Sequence, residues 1–167
     1  MKLFKKLLAV ALIGVMALTV LAGCSTTIDP DTQFENSKVW EAYDKLTNSA
    51  SDAGYNSNVT YSRKLSSVAK AMYSAVNSAY GIGGEYSADY DKAAKAAFEK
   101  AKADGTISAK AELKVGYLVT NPAGYDSFDY KSVFTDSEYD TANTVGIYWD
   151  NTYNNLMIVA AYIPASK

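Results

Sequence analysis

Few residues in this chain stand at spacings that could do chemistry, and each group has a plainer packing role beside it. Ser67-Val68-Ala69-Lys70 has the S-x-x-K spacing, in which a desolvated lysine amine can take the proton of a serine hydroxyl one helical turn away. No S-D-N or K-T-G companion accompanies it, and the pair lies off the apolar stripe of its helix, so a solvated helix surface accounts for it. Gly81-Ile82-Gly83-Gly84 lacks the third glycine of a dinucleotide fingerprint and the Lys-Ser/Thr of a phosphate loop. It follows a helix instead of a strand and reads as an inter-helix turn. Asp136, Glu138 and Asp140 alternate like oxygen ligands for Ca²⁺, with Asp126, Asp129 and Asp150 near them in sequence. Thr141 and Ile147 occupy the places where an EF-hand loop needs Gly and Glu, so these three metal candidates compete with a solvated acidic loop.

Composition narrows the chemistry further. The 167 residues include one cysteine and no histidine, which excludes His-based triads, His or Cys zinc sites, CxxC redox chemistry and disulfides within the chain. No catalytic residue and no cofactor is assigned on this basis. The single cysteine, Cys24, follows a basic start (Lys2, Lys5, Lys6), an apolar stretch from Leu7 to Val20 and a run of small residues. That pattern is a secretory signal over residues 1–23, too short in its apolar part to span a bilayer. Leu21-Ala22-Gly23-Cys24 resembles the bacterial lipobox. The resemblance implies a diacylglyceryl thioether on Cys24, cleavage before it by signal peptidase II, and usually acylation of the new N-terminus. It also implies an anchor on the extracytoplasmic side of a cell membrane or outer membrane. Several buried acyl CH₂ groups, at about 0.8 kcal/mol each, are what makes such an anchor stable. Removing residues 1–23 takes away three lysines and no acid, moving the formal net charge from −2 to −5. An acidic domain is a poor partner for nucleic acid.

The elements that must position everything else follow from periodicity. Residues 24–35 read as lipidated cysteine and polar tether, and 36–167 as one domain of α+β class. Val39, Trp40, Tyr43 and Leu46 predict a first helix from about Asn36 to Ala50, broken by the turn formers of 52–58. Ser62 is a candidate N-cap for a second helix with the stripe Leu65, Val68, Ala69, Met72, Val76 and Ala79. Ser87 opens an alanine-rich third helix with Tyr90 and Phe98 as its inward bulk, ending before Gly105. Leu113, Val115, Tyr117 and Val119 alternate as a strand, Asn121–Gly124 reads as a turn, and Ser127 to Phe134 as a short helix. Val145, Ile147 and Trp149 alternate again before a turn and the apolar run 156–163, which gives an antiparallel hairpin with its last strand buried on both faces. Helices around a small antiparallel sheet are the expected architecture.

Fourteen tyrosines, all beyond residue 23, combine apolar area with a polar tip. Tyr73, Tyr117 and Tyr148, with Trp149 and Glu112, are candidate ligand contacts, and packing between helices and sheet explains the aromatic ones equally well. Three blocks in order resemble the CAP superfamily (cysteine-rich secretory, antigen 5 and pathogenesis-related proteins): Val59 to Ala69, Ala111-Glu112-Leu113, and Thr144 to Tyr148. The resemblance implies an α-β-α sandwich with a cleft. The family's cleft histidines are missing, with Met72 three residues after Ala69, and only Glu112 carries over as a cleft acid. The expected function is a lipid-anchored, non-enzymatic domain that binds a small or extended ligand or an envelope partner through a tyrosine-rich face. A cell-envelope hydrolase using carboxylates such as Glu112 is the alternative.

Overall fold

The computed structural model describes residues 30–80, 88–120 and 137–165. Helix α1 spans Ser37–Ala53. The Asn36 side chain accepts from Val39 N at 3.0 Å, satisfying one of the first orphan amides. The helix ends one turn later than periodicity suggests, because the break comes at Gly54, whose φ of 79° suits a residue without Cβ, and not at Asp52. Its inward face is Val39, Ala42, Leu46 and Ala50, all fully buried. Burying a side chain such as Leu46 contributes roughly 1.5–3 kcal/mol. Trp40 does not belong to that stripe: it is 52% exposed, since it sits about 100° around the helix from Val39.

A two-residue strand β1, Thr60–Tyr61, leads into α2, Arg63–Tyr80. Ser62 Oγ accepts from Leu65 N at 3.1 Å, the expected cap, and donates to Asp31 Oδ2 at 2.7 Å. Asp31 Oδ1 accepts from Lys64 N at 2.7 Å, so a second carboxylate oxygen serves the same helix start. Phe34 stacks near Tyr61 and Tyr43, with centroids 4.4 and 5.3 Å away. Residues 30–34, expected to be free tether, are therefore docked on the domain. Leu65, Val68, Ala69, Met72 and Val76 form the buried stripe of α2. Helix α3 spans Ala88–Ala103 and buries Phe98 and Ala101, with Tyr90 only half-buried.

Strands β2 (Glu112–Thr120), β3 (Thr144–Asp150) and β4 (Asn155–Tyr162) complete a four-stranded sheet in the order β1-β3-β4-β2. β3 and β2 run antiparallel to β4, as the hairpin predicts, but β1 pairs parallel with β3, so the sheet is mixed and not antiparallel. β4 lies between two partners and is buried from Asn155 to Ala161. Alternate β4 residues divide the core: Leu156, Ile158 and Ala160 pack on the α1 side, Met157, Val159 and Ala161 on the α2/α3 side. The result is mixed α/β, three helices over both faces of the sheet. Leu113 pairs with Ala161 and Val115 with Ala160, which leaves Lys114 as a bulge. The bulge turns Leu113 to the α2/α3 face, although it keeps perfect alternation with Val115, Tyr117 and Val119 in sequence. Gly146 is where α2 crosses β3. A Cβ there would lie 2.5 Å from the Leu65 oxygen and the Ser66 nitrogen, so only glycine admits the helix backbone this close. Ser66 Oγ then accepts from Ile147 N at 2.9 Å, replacing a strand neighbour that β1 is too short to supply. The expected turn at 121–124 and short helix at 127–134 fall outside the described residues. Ser137–Thr141 forms a short 3-10 turn that buries Tyr139 completely.

Candidate functional site

The five candidate ligand residues do not converge. Tyr73 and Tyr148 meet on the α2/α3 face with ring centroids 5.3 Å apart, and Lys70 Nζ sits 5.6 Å from the Tyr148 centroid. Tyr73 Oη donates to Asp150 Oδ2 at 2.5 Å and accepts from Asn155 Nδ2 at 3.2 Å. Asp150 and Asn155 face each other across the hairpin, so the register puts both within reach of one tyrosine on α2. Burial, and then the bond to Asp150, push the Tyr73 phenol well above its usual range. Burial also pushes Asp150 up, but bonds from Tyr73 Oη and the Thr152 amide outweigh it and hold the carboxyl below the ordinary range. A phenol that cannot ionise, bonded to a carboxylate that stays ionised, makes a poor acid-base pair near neutral pH. It fixes the hairpin to α2.

Tyr117 and Trp149 pack on the opposite, α1 face, each next in sequence to a residue, Leu118 or Tyr148, that faces α2/α3. Glu112 is at the start of β2, with its side chain 63% exposed and paired to Lys114 Nζ at 2.9 Å. Thr120, at the other end of β2, pairs with Asn155, so Glu112 and Asp150 are separated by the length of the strand, roughly 25 Å. The Lys114 ammonium lowers the Glu112 carboxyl below its usual range. A glycosidic general acid needs the reverse, a carboxyl raised by burial. Glu112 is thus unsuited to be the general acid, and Asp150 is too distant to be its partner.

Ser67 and Lys70 are exposed, as the stripe implies, and Ser67 Oγ donates to Lys64 O at 2.7 Å and not to the lysine amine. Of the metal candidates, Asp136 and the Glu138 side chain lie outside the described residues, while Asp140 Oδ1 accepts from Asn56 N at 3.1 Å. Among the described residues no three His, Cys, Asp or Glu side chains gather to hold a metal ion. Cys24 also lies outside them.

A site that the periodicity of single elements does not reveal lies between α3 and β2. This groove has a volume of about 640 Å³, within the range of small-molecule sites. Buried Met72 and Phe98 form its floor, half-buried Leu113 gives it an apolar wall, Val115 borders it while its side chain packs on the α1 side, and Asp91, Lys95, Glu99 and Lys114 give it charge. The lysine bulge creates it by turning Leu113 towards α3. Gly116 keeps it open, since a Cβ there would come within 3.0 Å of Met72 Cε. One signal was readable in advance: Asp91, Lys95 and Glu99 stand four apart and so share one helix face. A second groove, about 530 Å³ between α2 and α3, is lined mainly by alanine methyls, and its polar residues are bonded within the protein: Ser67 to the Lys64 carbonyl, and Lys100 and Thr106 to Asp104. No protein-family model matches the chain, and no curated protein or solved structure is detectably similar to it.

Proposed function

We propose that this is a lipid-anchored, extracytoplasmic binding domain without enzymatic activity, held to a membrane through Cys24. Its ligand is a small molecule with an apolar body and groups of both charge signs, bound in the α3/β2 groove. The observation that carries the binding role is the groove's composition: half-buried Leu113 over a floor of buried Phe98 and Met72, beside Asp91, Lys95 and Glu99 in alternating sign. Lys114 and its bulge blunt edge strand β2 against pairing with another chain, which favours a ligand held by side chains over one added as a strand. The lipobox motif at Leu21–Cys24 supports the anchor. Among the described residues, no helix is long and apolar enough to cross a membrane.

The same proposal treats the domain as a histidine-free relative of the CAP superfamily. In support, the block Val59–Ala69 covers β1 and the start of α2, Ala111–Leu113 opens β2, and Thr144–Tyr148 lies in β3. Met72, standing where the family places a histidine, lines the groove beside Leu113. The tyrosine-rich face gives way to this groove, because the tyrosines are divided between the two sides of the sheet.

Titration calorimetry of residues 24–167 carrying Cys24→Ala, against short zwitterionic peptides with Leu or Phe side chains, tests the site. Binding should weaken about tenfold or more, ~1.4 kcal/mol, in Gly116→Leu, which fills the groove. Absence of heat with every peptide, or heat that Gly116→Leu leaves unchanged, would overturn it. For the anchor, Cys24→Ala should abolish metabolic labelling by fatty acid, and persistent labelling would refute the lipobox assignment.

A further inference from the structure

We infer that the pole of the domain formed by residues 30–34 and the first turn of α1 lies against the lipid bilayer, with the Trp40 indole in the headgroup region. This rests on the lipid anchor proposed above and adds to it an orientation and a contact. The leash is short. Asp31 is bonded to Ser62 and Lys64 and Phe34 is stacked on Tyr61, so Cys24 and Pro30 are six residue steps apart along the chain, a reach of at most roughly 21 Å. A domain of this size has a radius of gyration of about 14 Å, so such a leash keeps one pole towards the membrane and the other away. The near pole presents Trp40, one of three large hydrophobic residues exposed among the described residues, with Tyr153 and Tyr162. Trp40, whose amide donates to Asn36 O at 3.2 Å, is in the first turn of α1 and is 52% exposed. An indole, apolar with one N–H donor, suits the interface between acyl chains and headgroups.

Charge does not drive the contact. Lys38, Arg63 and Lys64 on this pole are matched by Asp31, Glu35 and Glu41, with Lys38 Nζ 3.6 Å from Glu41. The contact should therefore survive high salt, unlike a polybasic one. The far pole is marked by Tyr153, 55% exposed in the turn between β3 and β4 and about 20 Å along the strands from the β1 end.

The test uses the full lipidated protein in vesicles of zwitterionic phospholipid containing brominated phosphatidylcholine, which quenches indoles at the interface. Trp149 is buried in the core and serves as the unquenched background. Emission of the native protein should fall on adding brominated lipid, in low and high salt alike, and Trp40→Phe should remove the fall. Tyr153→Trp on the Trp40→Phe background should restore no quenching. Vesicle flotation without Trp40-dependent quenching, or equal quenching of the indole at position 153, would overturn the orientation while leaving the anchor intact. Failure to float together with absence of acyl label would instead overturn the anchor, and this inference with it.

Discussion

The two faces of the sheet are packed by different means. On the α1 side, bulky groups from several elements interlock: Leu46, Tyr139, Trp149, Ile147 and Leu156 fill the layer, and Phe34 closes its edge. On the α2/α3 side, Phe98, Met72 and Leu65 supply the bulk, while α3 offers mostly alanines around them. Small side chains let helices approach but leave gaps wherever the partner is also small, and the two grooves described above border α3. On the α1 side the alanines, such as Ala42 and Ala160, are enclosed by large neighbours and the layer is filled. The α3/β2 groove follows from under-filling one face of a sheet whose other face is filled.

The largest expected effect is on the filled face. Leu46→Ala removes a fully buried side chain from a layer that cannot collapse, and should cost about 3–4 kcal/mol in urea unfolding. A cost below about 1 kcal/mol would mean that this side is as loose as the other. Next comes Gly146→Ala, where the obstruction is the α2 backbone itself, so relief requires moving the helix. Overpacking of this kind costs about 1–3 kcal/mol, and the upper end applies here. A stability equal to the native protein would show that α2 does not cross β3 so closely.

Tyr73→Phe probes the polar staple that holds the hairpin to the grooved face. Losing the donor to Asp150 and the acceptor for Asn155 should cost about 1–2 kcal/mol at neutral pH. The sign of its pH dependence follows from Asp150. Its carboxyl is lowered in the folded state, so its contribution is fully present above the unfolded value of about 3.9 and is lost as pH falls below that, through the folded value. Tyr73→Phe should flatten this acid-side loss. An acid-side slope identical to the native protein's would sever the bond from the stability of the staple.

Much of this was written in the sequence, but not evenly. α2 was legible because its stripe and its Ser62 cap are local, and the β3–β4 hairpin because its alternation and turn are. The bulge at Lys114 was not, because Leu113 alternates with Val115 perfectly and only the register with β4 shows the extra residue. β1 is two residues long and exists by pairing with β3, while Asp31 accepts from the Ser62 hydroxyl and the Lys64 amide, 31 and 33 residues away. Such partners have no local signature. Of the site, the Asp91, Lys95, Glu99 row was visible, but its neighbour Leu113 faces it only through the bulge. The tyrosines misled for a related reason: Tyr148 and Trp149 are adjacent in sequence and therefore on opposite faces.

The smallest effect separates the two faces by one chemical change. Ala42 on α1 is fully buried among large neighbours, whereas Ala93 on α3 is half-buried and lines the groove against α2. Replacing either by leucine adds the same three carbons. At Ala42 they have nowhere to go, and the change should cost about 1–3 kcal/mol. At Ala93 they enter space already present and cover methyls of Ala71 and Ala75, so the change should fall within about 0.5 kcal/mol of zero. Because Ala93 lines the α2/α3 groove and not the charged one, ligand affinity should be unchanged in Ala93→Leu. Equal destabilisation at both positions would show that the alanine-rich face is filled, and that the grooves do not arise from its small side chains.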